Sequence, residues 1–198
     1  MSFEAIDALD QRITLVLNGL HSEAGDWIWQ FFSSVETWYP LYIAVIFFGI
    51  RRLGWKKGLL MMLAMILTVM VCDQLANLVK DSVCRLRPCY NADMMTAGLH
   101  VLEKRGGYYG FFSGHAANAF GFAAVSGACL ETDKNHRYDL YQWFIIIWAA
   151  LVGLSRIFVG KHYFWDIVVG AAVGLIIGCA VAKVFRIVVT RTGWSSPS

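Results

Sequence analysis

At 198 residues, 58% of them hydrophobic and only 16% charged, with a mean hydropathy of +0.53, the chain is too apolar for an ordinary soluble domain. A net charge of +3 is too small to suggest nucleic acid, so no nucleic-acid partner is expected. What remains is an all-α integral membrane bundle, a single domain over residues 1–198, with the lipid bilayer as its solvent.

The first residues, MSFEAIDALDQR, are acidic and lack the basic-then-apolar order of a secretory leader, so the first membrane helix is expected to direct insertion. Residues 1–36 read as an N-terminal amphipathic region. Phe3, Ile6, Leu9, Ile13, Val16 and Leu17 recur at spacings of three and four, with Glu4, Asp7, Asp10 and Arg12 between them. That pattern predicts a helix lying on a membrane surface. Trp27, Trp29, Phe31, Phe32, Trp38 and Tyr39 then crowd the approach to the first span, as aromatic rings do at a lipid–water boundary.

A transmembrane core is expected over 37–189, with about five crossings. The uninterrupted apolar run 41–50 is short for a crossing of roughly 20 residues, so the helix either starts near 33–37 or is thinned by its neighbours. Arg51, Arg52, Lys56 and Lys57 close it. The second crossing, 58–80, carries Asp73, Asn77 and Lys80 on one stripe, which should face the bundle interior; there Asp73 is better read as a hydrogen-bond partner for a neighbouring helix than as a catalyst. Residues 81–112 are polar and irregular, with Pro88 and the glycine-rich run 106–110, a length suited to a lid or a recognition loop.

The third crossing, 113–130, is built from small residues that let helices approach closely, so it should be central. A charged loop, 131–139, leads to a fourth crossing at 141–159. The fifth, 167–189, has Gly170, Gly174 and Gly178 spaced as a doubled GxxxG packing face. The tail RTGWSSPS, residues 191–198, within a terminal segment 190–198, reads as disordered.

Five crossings put the helix ends at Lys80, Ser113, Arg156 and Asp166 on one side of the membrane. The stretch 155–166, SRIFVGKHYFWD, places a guanidinium, an ammonium, an imidazole and a carboxylate between two apolar runs. His162 and Asp166 are four apart, so on a helix they share a face, and the carboxylate can hold one ring nitrogen while the other stays free as a nucleophile. The plainer alternative is a set of interfacial charges capping two membrane helices. His115 stands at a helix start, where exposed N–H groups bind anions, and Lys80 and Arg87 bring two more cations. Together these groups describe a site for splitting a phosphate ester, and no carboxylate cluster is present to hold a metal, so neither metal nor cofactor is expected.

In order and spacing these residues resemble the type 2 phosphatidic acid phosphatase (PAP2) family, whose pattern has three parts: KxxxxxxRP, PSGH and SRxxxxxHxxxD. Here they stand at 80–88, 112–115 and 155–166, with Phe112 where the family usually has proline. The resemblance implies that His162 attacks phosphorus through a phosphohistidine, that Asp166 orients it, and that His115 protonates the leaving oxygen. It likewise implies that Lys80, Arg87 and Arg156, with Ser113 and the backbone of Gly114, hold the phosphoryl oxygens. Lys161, Lys104, Arg105 and His100 are left to headgroups or to no role.

Small bacterial members act on undecaprenyl diphosphate, phosphatidylglycerol phosphate or the phosphates of lipid A, and the motifs choose none of these. Two other readings stay open, a vanadate-dependent oxidase using the same pocket geometry and a non-enzymatic transporter or binding protein for phosphate lipids. The short basic loop 51–57, the loop 131–139 and the C-terminus are expected in the cytoplasm, so that the site faces the periplasm from a bacterial inner membrane. Cys84 and Cys89, in the outward loop, are either a disulfide or two free thiols. Nothing in the sequence sets the oligomeric state.

Overall fold

The structure, a computed structural model, describes residues 3–194. In these, eight α-helices follow one another: α1 (Phe3–Asn18), α2 (Glu23–Ser33), α3 (Tyr39–Leu53), α4 (Trp55–Val83), α5 (Ala92–Thr96), α6 (Gly114–Leu130), α7 (Asp139–Phe158) and α8 (Phe164–Thr192). Among the described residues there is no β-strand, only an isolated antiparallel bridge between Leu86 and Tyr109. α4, α7 and α8 are long and apolar enough to cross a membrane; α2 and the stretch Glu36–Leu53, bent by 69°, add a fourth crossing if they form one broken span. Ile43, Phe47, Leu67, Ile147 and Ile176 point outward, as lipid-facing side chains do, and the chain is a multi-pass membrane protein.

The central pair is α6 against α8, and its reason is a four-residue repeat of small residues on both helices. A Cβ placed on Gly170, Gly174 or Gly178 would stand 2.5, 2.2 or 2.6 Å from the carbonyl oxygens of Ser113, Ala117 and Gly121. The two backbones therefore touch directly, which only glycine permits. Around them the core is aromatic: Trp38, Tyr42 and Phe122 pack edge-on about Trp148, at centroid distances of 5.5, 6.1 and 5.9 Å.

α1 forms where the periodicity placed it, with its apolar side outward as a surface helix requires, but its polar side is buried in the protein rather than in water. Asp10, Thr14 and Asn18, four residues apart, are 1%, 0% and 1% exposed, whereas Ile6, Leu9 and Val16 face outward. Thr14 Oγ1 accepts from the Phe164 N–H and Asp10 Oδ1 from the Trp165 N–H, both at 3.0 Å; Asn18 Nδ2 donates to the carbonyls of Ile157 (3.0 Å), Phe158 (3.2 Å) and His100 (2.9 Å). The end of α7 and the start of α8 carry orphan carbonyls and N–H groups that must be satisfied when buried. The polar stripe of α1 does this, and its apolar side is left for the bilayer.

Several boundaries also differ from expectation. α3 begins at Tyr39 rather than at 33–37, because Ser33 ends α2 and a 3-10 turn, Glu36–Trp38, follows. α4 is longer than 58–80 at both ends, α7 starts two residues before 141, and the loop 81–112 contains a 3-10 turn, Pro88–Tyr90, and α5. α8 starts before residue 167 and runs on to Thr192, taking Arg191 and Thr192 from the expected tail, until Gly193 turns left-handed at φ 63°. Residues 195–198 of that tail lie outside the described residues. At the end of the bundle away from Lys80, Arg52 Nη1 meets His136 Nε2 at 2.8 Å and Lys56 lies 6.0 Å over the Trp194 ring, so the two loops and the end of α8 gather there.

Replacing Gly174 by Val should force the α6 and α8 backbones apart and cost about 1–3 kcal/mol or more. Thermal unfolding in detergent measures this, with Gly107→Ala, which meets nothing within 4 Å, as the control expected to melt like the parent.

Candidate active site

After Phe158 the chain reverses at Gly160, held at φ 77°, where a Cβ would lie 2.8 Å from the His100 carbonyl oxygen. The amides of Lys161 and His162 both donate back to the Arg156 carbonyl, at 3.0 and 3.2 Å, and Tyr163 then caps α8. His162 therefore sits on a tight link before the helix, and the expected helical face shared with Asp166 is not what pairs them. Asp166 is the third residue of α8, and its Oδ2 reaches back to the Tyr163 N–H at 3.0 Å, as the acid of a capping box does. The same oxygen faces His162 Nδ1 at 3.4 Å, and the Gly110 backbone also bonds the ring. Asp166 thus leaves Nε2 over.

The other oxygen of Asp166 is taken by a residue that the sequence reading did not single out. Arg85 Nη1 bonds Asp166 Oδ1 at 2.8 Å, while its Nη2 bonds Asp10 Oδ2 at 2.8 Å and Asp7 Oδ1 at 2.7 Å, and the guanidinium lies 4.0 Å over the Tyr163 ring. Burial alone would lower the pKa of Arg85; Asp166, Asp10 and Asp7 outweigh it and raise the pKa, so the cation persists. Burial also raises the Asp10 carboxyl pKa, against the Trp165 amide and Arg85, which lower it.

Lys80, Arg87, Gly114, His115, Arg156 and His162 line one end of a cavity of about 590 Å³. The cavity continues between α3, α4 and α6 along Phe32, Trp38, Tyr42, Met62, Met65, Ile66, Val69 and Met70, with Asp73 and Asn118 between its polar and apolar ends. Arg87 is aimed by two straps: its N–H donates to the Tyr108 carbonyl (2.9 Å) and its Nε to the Tyr109 carbonyl (3.1 Å), while Gly110 N–H bonds Arg85 O (2.9 Å). Arg156 is buried, bonded to Ser33 and 3.6 Å from Glu103 Oε1, with its Nε left without a partner.

Ser113 is placed otherwise. Its side chain is fully buried and accepts the Ala116 N–H at 3.4 Å as the N-cap of α6, its own amide donates to the Asp166 carbonyl at 2.9 Å, and it does not line the cavity. Of the other basic residues, Lys161 Nζ donates to the Lys104 carbonyl, Arg105 lies over Tyr90, and the His100 ring bonds Asp26 at 2.9 Å. Asn77 is exposed and outside the cavity wall. All five cysteines are free thiols: Cys84 ends α4 in a left-handed conformation and Cys89 is buried. The straps, rather than a disulfide, stiffen the turn that carries Arg87.

Burial, followed by the positive charges of Arg156, Arg87 and Lys80, holds the pKa of His162 well below the usual imidazole value. The ring is neutral at pH 7 with an Nε2 lone pair to offer, beside cations that suit an oxyanion. Such a site on helices of a membrane bundle is suited to attack on phosphorus.

The chain belongs to the PAP2 superfamily, whose family model matches residues 34–189. It is 35% identical over 196 residues to a lipid A 4'-phosphatase of Porphyromonas gingivalis, covering 98% of this chain and 80% of that one. A lipid A 4'-phosphatase of Bacteroides thetaiotaomicron is 32% identical over 173 residues, covering 86% of this chain and 74% of that one. In fold, the chain is similar to the PAP2-type phosphatidylglycerolphosphate phosphatase of Bacillus subtilis (TM-score 0.72, 20% identity, 94% and 89% of the two chains). Aquifex aeolicus LpxE is a second such neighbour (TM-score 0.63, 22% identity, 87% and 93%).

Two outcomes test this geometry. Because the His162 pKa is lowered, the ring should stay neutral as pH falls through 6.5 and take its proton only well below; histidine-selective NMR, with the signal assigned by its loss in His162→Ala, reads this directly, and a phosphate dianion in the cavity should move that titration upward. Arg85→Met should lower turnover by about tenfold or more through misplacement of Asp166, with Arg85→Lys recovering less than half of the loss because it cannot serve three carboxylates in one plane.

Proposed function

We propose that this protein is a metal-independent lipid phosphatase of the bacterial inner membrane, acting at the periplasmic face on a phosphate of lipid A. One observation carries the chemistry: the free nitrogen of His162 meets His115, Lys80, Arg87 and Arg156 at the polar end of a cavity whose other end is apolar. An oxyanion head with hydrocarbon behind it fits that shape. A small halide, as an oxidase would use, leaves the apolar end without purpose.

The steps follow from the placement. His162 Nε2 attacks phosphorus, forming a P–N bond as the P–O bond to the lipid breaks, and His115 gives its proton to the departing lipid oxygen. Asp166 stabilises the cationic ring. Lys80, Arg87, Arg156 and the first amides of α6 at Gly114 hold the three other phosphoryl oxygens. Water then attacks the phosphohistidine, His115 takes a proton from it, the P–N bond breaks and phosphate leaves. Ser113 serves chiefly as the cap that aims Gly114.

In the bilayer we read five crossings, α3, α4, α6, α7 and α8. α6, at 17 residues, is roughly 26 Å long, close to a hydrocarbon core of about 30 Å, which supports reading it as a crossing with the site near one boundary. The basic loop after α3 supports a cytoplasmic position for the opposite end. The relatives named lipid A 4'-phosphatases favour that lipid over undecaprenyl diphosphate and phosphatidylglycerol phosphate.

Phosphate release by the detergent-solubilised protein, measured in parallel on these three lipids, should be greatest on lipid A. EDTA should leave it unchanged and orthovanadate should inhibit. His162→Ala should lose about 10³-fold or more in rate, His115→Ala should be least severe with a good leaving group, and Asp166→Asn should lose about 10²-fold or more with lipid binding kept. Loss of activity in EDTA with recovery in Mg²⁺, or near-parental turnover by His162→Ala, would overturn the mechanism.

A further inference from the structure

Seven residues before Lys80 on α4, Asp73 sets a carboxylate into the cavity wall, where the neighbouring walls are Val69, Met70 and Phe122. From α6, Asn118 Nδ2 donates to Asp73 Oδ1 at 2.7 Å, and Asn118 Oδ1 is left buried without a partner. The Cβ position that Gly114 lacks lies 3.7 Å from both Asp73 Oδ1 and Lys80 Nζ, so carboxylate and ammonium are no further apart than twice that distance. Asn118 stands one turn below His115, a rise of about 4.5 Å, so the pair sits directly beneath the phosphate end on the way to the apolar end.

A carboxylate only accepts hydrogen bonds; Asp73 is exposed to the cavity space, and once a lipid fills that space and excludes water, an oxygen left without a donor is penalised. Asn118 satisfies one oxygen and fixes its direction; the other faces the cavity. Whatever part of a ligand lies at that level meets an acceptor. An N–H or O–H satisfies it, whereas an ester oxygen or a bare hydrocarbon chain leaves it unpaired, the kind of mismatch that discriminates strongly between substrates.

We propose that Asp73 and Asn118 form a specificity subsite that takes an N–H or O–H donor at the base of the phosphorylated headgroup, and so selects a phosphorylated N-acylated amino-sugar lipid over diacylglycerol or polyprenyl phosphates. The subsite rests on the lipid-phosphatase reading and narrows its substrate class. It gives Asp73 a second duty beside joining α4 to α6, and the two duties differ in what they predict. A helix tether acts on every substrate alike; a donor-reading subsite acts on one class.

The test compares kcat/KM for a phosphorylated N-acylglucosamine lipid with that for phosphatidic acid of matched chain length, in the full chain and in Asp73→Asn and Asp73→Leu. The ratio should fall about tenfold or more in both variants. An unchanged ratio, with both substrates slowed equally, overturns the subsite and leaves the phosphatase standing. The same two lipids are also titrated by equilibrium binding against His162→Ala alone and combined with Asp73→Asn. Selective weakening of the amino-sugar lipid supports the subsite even if the parent protein hydrolyses neither lipid, the result that would sink the phosphatase reading instead. Equal weakening of both lipids overturns it.

Discussion

The site turns on one carboxylate with two oxygens in separate employment. Asp166 gives Oδ2 to the Tyr163 amide and the His162 ring, and Oδ1 to Arg85. A carboxylate that is 0% exposed must be satisfied on both sides or it will take up a proton and stop holding a histidine. Arg85 keeps it ionised, and Arg85 is itself held by Asp7 and Asp10. His162 is thus oriented through a chain of charges that ends on α1, outside the helices that carry the three motifs.

That arrangement explains why the link carrying His162 is so short and so tightly bonded. Between the last turn of α7 and the first of α8 there is little chain to carry regular structure, and every amide there has a named partner: the Arg156 carbonyl for Lys161 and His162, Asp166 for Tyr163, Thr14 for Phe164 and Asp10 for Trp165. In lipid no water substitutes for a missing partner. Direct backbone contact between α8 and α6 at Gly170, Gly174 and Gly178 then fixes this link relative to His115, because Ser113, whose amide bonds the Asp166 carbonyl, begins the helix that carries it.

Most of the residues proposed to meet the phosphate were legible because phosphate chemistry restricts residue types and the family pattern restricts spacing: Lys80, Arg87, His115, Arg156 and His162 all line one cavity. The glycine repeat of α8 was equally plain. Arg85 was not, since an arginine between Lys80 and Arg87 reads as one more cation and its carboxylate partners are 75 to 81 residues away. The stripe Asp10, Thr14, Asn18 was visible at helical spacing, but the apolar residues of α1 carried the stronger periodicity. In a membrane protein the apolar side of a helix can be its outside. The shared face of His162 and Asp166 failed for a different reason: the right pair was found, but a helix start brings the two together, not a helix interior.

α1 also orders the assembly of the site in time. Its polar stripe leaves the ribosome early, whereas the groups it caps, Ile157 to Trp165, lie about 140 to 155 residues later and become available only when α7 and α8 are in place. Long-range closure of this kind comes late in folding, because the intervening chain must be ordered before the contact rewards it. The complete site therefore belongs to the finished bundle alone: a partly inserted chain carries Lys80, Arg87 and His115 but has no aligned His162 to present to the lipids around it.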